Sequence, residues 1–229
     1  MLPTWSWDRI SSVIFDVDGT LYDQRPIRIR MAIELFGDAL SNRSSETVRV
    51  LNIFRRLREE MAERETPDFL PHLVKATAER CRVSEIRVEE IVQDWIHVRP
   101  LPLLAKARIA GLPEVLGGLR QLGKIISIWS DYPADDKLQA LGVSADHVIS
   151  AEDPDVGLLK PNARGIELLI GRTGVPAAAT LVIGYRIERE GVAARREGAH
   201  VLIRGRQTAG WTTFQTYHDP MFSPLTGKR

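Results

Sequence analysis

Two aspartates stand one residue apart in the stretch VIFDVDGTLYD, residues 13–23, and Gly19 and Thr20 follow them at once. The run Val13-Ile14-Phe15 reads as a parallel strand buried on both faces. Gly19 breaks it, so Asp16 and Asp18 belong at the strand's carboxyl end, the edge where open α/β sheets bind ligands. Alternation along the chain turns both carboxylates to the same side. Two acids on one rim, with the Val17 carbonyl between them, suit a hard cation such as Mg²⁺. One of them can also attack phosphorus and form an aspartyl-phosphate. A bare pair of acids is most often a solvated turn; the full apolar-DxDGTL string is far more specific.

Three later stretches carry further chemistry. The strand KIISIW ends in Ser130-Asp131, and a hydroxyl there, followed by a backbone N–H and a helix N-terminus, can hold phosphate oxygens. Lys160-Pro161 lies 30 positions after Ser130 and is read as opening a helix. The helix dipole disfavours a cation at that place, which is offset if Lys160 points at an anion such as Asp16 and a phosphate. The strand TLVIG delivers Tyr185, with Glu188 and Glu190 close behind.

The elements that must position these residues fall into two kinds. From Pro26 to about Trp95 the pattern is helical. Ile29, Ile33, Leu35 and Phe36 mark one amphipathic stretch. Val48, Leu51, Phe54, Leu57 and Met61 mark a second, capped by Ser44 or Ser45 and stopped by Pro67. Phe69 to Cys81 suits a third helix, and Ile91 with Trp95 a fourth. After about Lys106 strands and helices alternate. Strands are expected over 124–129, 147–149, 180–183 and 200–203, with helices over 114–122, 135–141, 165–170 and 191–197. That alternation predicts an α/β fold with a parallel sheet wound by right-handed crossovers. The strand before Asp16 belongs to the same sheet, so the core takes residues 1–22 and 107–229, and residues 23–106 form an inserted helical module.

In order and position, these stretches resemble the motifs of the haloacid dehalogenase (HAD) superfamily, whose members are mostly phosphatases. The resemblance implies a Rossmann-like HAD core with a helical cap inserted after the first motif. It also implies roles. Asp16 is the nucleophile. Asp18 protonates the leaving oxygen and later deprotonates water. Ser130 and Lys160 hold the phosphoryl oxygens, and Gly19, Thr20 and Asp131 line the substrate site. Mg²⁺ is the implied cofactor, with Asp16, Asp18 and Glu190 as its carboxylates and Glu188 and Asp131 as alternatives. The fourth motif departs from the family, which has Gly-Asp where this chain has Gly184-Tyr185. A neutral phenol is a poor ligand for a hard cation. The related 2-haloacid dehalogenases typically lack the second acid of the first motif, so Asp18 favours phosphoryl chemistry over dehalogenation. The expected activity is hydrolysis of a small phosphate monoester. A fold kept for binding or regulation after loss of turnover, or phosphoryl transfer to an acceptor other than water, are the alternatives.

Composition narrows the partners. The 229 residues carry a net charge of +1 with basic residues scattered, so no nucleic-acid partner is expected. Cys81 is the only cysteine, which rules out an intramolecular disulfide or a cysteine metal cluster. The first residues lack a signal-peptide core, and the apolar run 125–129 is too short to span a bilayer. No membrane partner and a cytoplasmic location are expected.

Overall fold

The computed structural model describes residues 5–227. Six parallel strands form one sheet in the order β3-β2-β1-β4-β5-β6. They are β1 (Ser12–Phe15), β2 (Ile125–Ser130), β3 (His147–Ser150), β4 (Thr180–Gly184), β5 (His200–Arg204) and β6 (Thr213–Phe214). Val13, Ile14 and Phe15 are fully buried because helices cover both faces of the sheet. The chain leaves β1 toward β2 and β3, then returns to place β4 on the other side of β1. The crevice outside the carboxyl ends of β1 and β4 is therefore the topological switch point.

The helices are α1 (Gln24–Ser41), α2 (Glu46–Glu63), α3 (Phe69–Cys81), α4 (Glu85–Val92), α5 (Leu101–Ala107), α6 (Leu112–Gln121), α7 (Asp135–Leu141), α8 (Arg164–Thr173), α9 (Val192–Arg196) and α10 (Ser223–Thr226). Helices α1 to α5 fill the excursion between β1 and β2 without a strand. Its two ends are tied together: Asp23 N donates to the Ala107 carbonyl at 2.8 Å, and Ile109 N to the Leu21 carbonyl at 3.0 Å. This segment has its own core of Leu51, Phe54, Phe69, Leu73, Val88 and Trp95, which reaches Ala151 and Leu159 beside the sheet. Two other cores lie on the two faces of the sheet, one around Phe15, Leu116 and Ile126, the other around Ile14, Trp129 and Ile166. No helix among the described residues is long and apolar enough to cross a membrane.

Two local expectations need correction. The helix after Lys160 begins only at Arg164. Asn162 Oδ1 accepts from Arg164 N at 2.9 Å and closes a turn between the two, so Lys160 sits in the preceding loop, free of the helix dipole. The apolar residues of α1 do not share one face. Ile27 is buried and Met31 and Leu35 pack inward, while Ile29, Ile33, Phe36 and Leu40 are exposed. Residues 187–191 form a wide π-type turn ahead of α9. That extra residue in the turn brings Glu190 inward against Gly184.

The aromatic tail, whose role sequence alone does not give, supplies β6 and packs under the sheet. Phe214, Tyr217 and Phe222 stack within 5.0–5.2 Å of one another. The Tyr217 hydroxyl donates to the Thr20 carbonyl at 3.2 Å, and Arg204 Nη1 donates to the Gly19 carbonyl at 2.7 Å. The turn that carries the first motif is thus braced by residues that lie 185 and 197 positions further along.

Candidate active site

Asp16 follows β1 directly and is still in the ladder, its N–H donating to the Ile183 carbonyl at 2.9 Å. Gly19 takes φ +91°, a backbone conformation open to glycine, and so turns Thr20 back toward Asp16. Thr20 Oγ1 then donates to Asp16 Oδ2 at 2.8 Å, while Lys160 Nζ donates to Oδ1 at 2.6 Å. Lys160 is fully buried and also lies 3.0 Å from Glu190 Oε1. Its ammonium rests over the Trp129 ring, 4.6 Å from the centroid. Burial is the largest influence on Asp16 and pushes its carboxyl up to about 7 against the pull of Lys160. Burial opposes the charged form of Lys160 too, but Asp16 and Glu190 outweigh it and keep the ammonium protonated.

Asp18 has a cation of its own. Lys137, on the first turn of α7 and buried, donates to both Asp18 oxygens at 2.8 and 2.7 Å. The Tyr22 hydroxyl donates to the same carboxylate. Burial works to raise the Asp18 carboxyl, but the charge and hydrogen bond of Lys137, with that of Tyr22, outweigh it and hold it below its usual value.

The other expected residues fall around this pair. Ser130 is buried at the end of β2, its Oγ accepting from Tyr132 N at 3.2 Å. Asp131 Oδ1 accepts from Lys160 N at 3.2 Å. Its carbonyl accepts from Arg58 of α2, which also pairs with Glu152 at 3.1 Å. Gly19 lies under Tyr185: a Cβ added there would fall 2.8 Å from the ring. Glu188 is exposed and paired with Arg186 at 2.9 Å.

Asp16 and Asp18 open onto a cavity of about 640 Å³ between the sheet edge and the helical segment. One wall is apolar, with Met31, Leu35, Leu51, Trp95 and Leu104; Arg28, Arg55 and Arg58 add positive charge. Glu59 of α2 closes one side, held by both nitrogens of the Arg186 fork at 3.0 Å and by Arg189. The hydrogen bond from Arg186 is the main reason its carboxyl is drawn down to about 2.

The carboxylates expected to hold Mg²⁺ do not fit that ion as arranged. Among the described residues no three acidic, imidazole or thiol side chains converge on one point. Thr20 and Lys160 occupy Asp16, and Lys137 occupies both oxygens of Asp18. Lys160 and the Arg186 N–H, at 3.0 Å, occupy Glu190. Tyr185 stands where the family pattern has an acid.

Sequence reasoning missed Lys137, Tyr22, Arg58 and Arg189. A lysine in the first turn of a polar helix reads as solvated, and only the crossover geometry aims Lys137 back at β1. Tyr22 had a weak local signal, four residues after Asp18 in a turn.

The haloacid dehalogenase-like hydrolase family matches residues 10–195. The chain belongs to this family. No curated protein matches the HAD-like chain in sequence. Solved structures share its fold at low identity. The HAD hydrolase YfnB of Bacillus subtilis, solved bound to magnesium, is 16% identical and superposes with a TM-score of 0.70 over 96% of this chain and 100% of its own. A HAD phosphatase from Thermococcus onnurineus is 20% identical, with a TM-score of 0.64 over 92% and 95%. A 2-haloacid dehalogenase from Pseudomonas syringae pv. Tomato DC3000 is 19% identical, with a TM-score of 0.61 over 91% and 95%. Phosphatases and dehalogenases thus share this HAD-like architecture.

Proposed function

We propose that this hydrolase cleaves small phosphate monoesters through an aspartyl-phosphate on Asp16. The supporting observation is the pair Asp16 and Asp18 at the floor of one cavity, each held by its own buried lysine. Asp16 attacks phosphorus and the bond to the leaving alcohol oxygen breaks. That oxygen takes a proton from the Lys137 ammonium, relayed by Asp18, and the proton is restored in the second step. Water then attacks phosphorus, the bond to Asp16 breaks, and the water proton returns to Asp18. Lys160 balances the charge of Asp16 throughout, and the Ser130 hydroxyl is within the same strand edge to bind a phosphoryl oxygen. The apolar wall favours an alcohol with a hydrophobic body. The carboxylate oxygens that Mg²⁺ would need are engaged by ammonium, hydroxyl and N–H groups. The test is a panel of phosphate monoesters with Asp16→Asn as the blank. Phosphate release by wild type alone supports the reading, and no release from any ester refutes it.

One observation favours a second reading. Asp18 is held ionised, which suits a leaving group that needs no proton. Asp16 would then attack a carbon bearing a halide, the carbon–halogen bond would break with the electron pair leaving on the halide, and water would hydrolyse the resulting ester. Halide release from 2-haloacids, absent in Asp16→Asn, distinguishes this from phosphoester cleavage.

A further inference from the structure

We infer that this active site works without a divalent cation, its positive charge supplied by two buried ammonium groups, Lys160 on Asp16 and Lys137 on Asp18. The inference concerns the chain's own departure from the magnesium chemistry that its family implies. Its turnover arm rests on the phosphoester reading; its binding arm does not.

Three observations carry it. The first is that both oxygens of Asp16, Asp18 and Glu190, the three expected carboxylates, are already engaged. Asp16 accepts from Lys160 and Thr20 at 2.6 and 2.8 Å, Asp18 from Lys137 at 2.7 and 2.8 Å, and Glu190 from Arg186 N at 3.0 Å with Lys160 equally close. A hard cation needs about six oxygen donors with several of them anionic, and recruiting these would strip two buried ammonium groups of their partners. The second is Tyr185. Its ring lies against the Gly19 turn, where a Cβ would come within 2.8–2.9 Å of three ring atoms. An ion that keeps several of its waters would have to displace that ring.

The third is that the Lys137 position is built. A cation in the first turn of α7 opposes the helix dipole, yet its side chain is only 6% exposed. Asp135 and Asp136 share that turn, but the ammonium is turned away from bulk water onto Asp18, with the Tyr132 ring 5.2 Å from it. Buried lysines need such partners. Lys137 is therefore a positioning residue: it orients Asp18 and holds a positive charge beside the reacting group.

The test uses the full chain, Mn²⁺ as the metal probe and p-nitrophenyl phosphate as substrate. In wild type the electron paramagnetic resonance signal should remain that of free Mn²⁺ up to about 1 mM. Turnover in excess EDTA and in Mg²⁺ should agree within roughly twofold. Lys137→Ala should lose roughly 100-fold in turnover and recover part of it with added ethylamine, which restores a cation in the vacated space, whereas Lys137→Met should not recover. Tight Mn²⁺ binding by wild type, or turnover abolished by EDTA, would overturn the inference. A folded Lys137→Ala that amines do not rescue would reduce Lys137 to a packing role and remove its half of the proposal. If wild type cleaves no phosphoester at all, the phosphoester reading fails, and the Mn²⁺ measurement alone still decides whether the site takes a divalent ion.

Discussion

Asp16 and Glu190 share one cation: Lys160 Nζ lies 2.6 Å from Asp16 Oδ1 and 3.0 Å from Glu190 Oε1, with all three side chains buried. Removing the cation leaves two carboxylates desolvated and facing each other. Lys160→Met should therefore cost about 3–5 kcal/mol of stability, the range for breaking a buried ion pair. Lys160→Met combined with Glu190→Gln should recover part of that loss. Urea denaturation of the two variants measures the difference; equal stabilities would show that Glu190 is not coupled to Lys160.

Asp16→Asn keeps the size of the side chain and removes the attacking charge. Turnover should fall by roughly 10³-fold or more, with far-ultraviolet circular dichroism unchanged. Activity equal to wild type would exclude Asp16 as the nucleophile.

The pH dependence follows from burial. The Asp16 carboxyl is pushed up to about 7, and only the ionised form attacks. The rate constant kcat/KM should thus rise with pH through neutrality and level off above it. Because the folded value lies above the ordinary 3.8, this group favours the folded state fully below that value. The contribution is lost as pH rises through about 7. Lys160→Met should move the kinetic midpoint upward, since it removes the charge that favours ionisation. A midpoint unchanged in that variant would separate the profile from Asp16.

Tyr185→Asp should convert the site. It places a carboxylate at the end of β4, beside Asp16, at the position where the family pattern has an acid. Mn²⁺ affinity should increase over wild type, because affinity in oxygen-ligand sites rises with ligand charge. A folded variant with no gain in metal affinity would mean that Tyr185 alone is not what bars the ion.

Gly165 permits Trp129 to lie where it does. A Cβ at Gly165 would come 2.1 Å from Trp129 Nε1, and that ring underlies the Lys160 ammonium. Gly165→Ala should lower stability by about 1–3 kcal/mol through overpacking and reduce turnover as the ring shifts. Adding Trp129→Phe should relieve the clash, which thermal unfolding of the double variant would report.

The parts legible in the sequence were those written in local patterns. Short β-branched runs gave five of the six strands, and the order of Asp16, Ser130, Lys160 and Gly184 gave their shared edge. Helix α7 was readable to its last residue because Gly142 takes the left-handed conformation that ends it. What failed depended on contacts between distant segments. The apolar residues of α1 carry a period that fits either of two faces, and only packing against α2 and α5 chooses the one with Ile27 and Met31. Strand β6 is two residues long and exists because β5 offers an edge. Lys137 and Asp18 are 119 positions apart, and neither side chain announces the other.

The brace on the first-motif turn has a consequence for how the protein is made. Asp16 to Thr20 leave the ribosome before their brace does: the Tyr217 hydroxyl that holds the Thr20 carbonyl lies 197 positions later, and the Arg204 group on Gly19 lies 185 later. Until those residues are synthesised, the nascent chain has Asp16 without the contacts that fix the backbone after it. The geometry around Asp16 therefore depends on residues translated well after it.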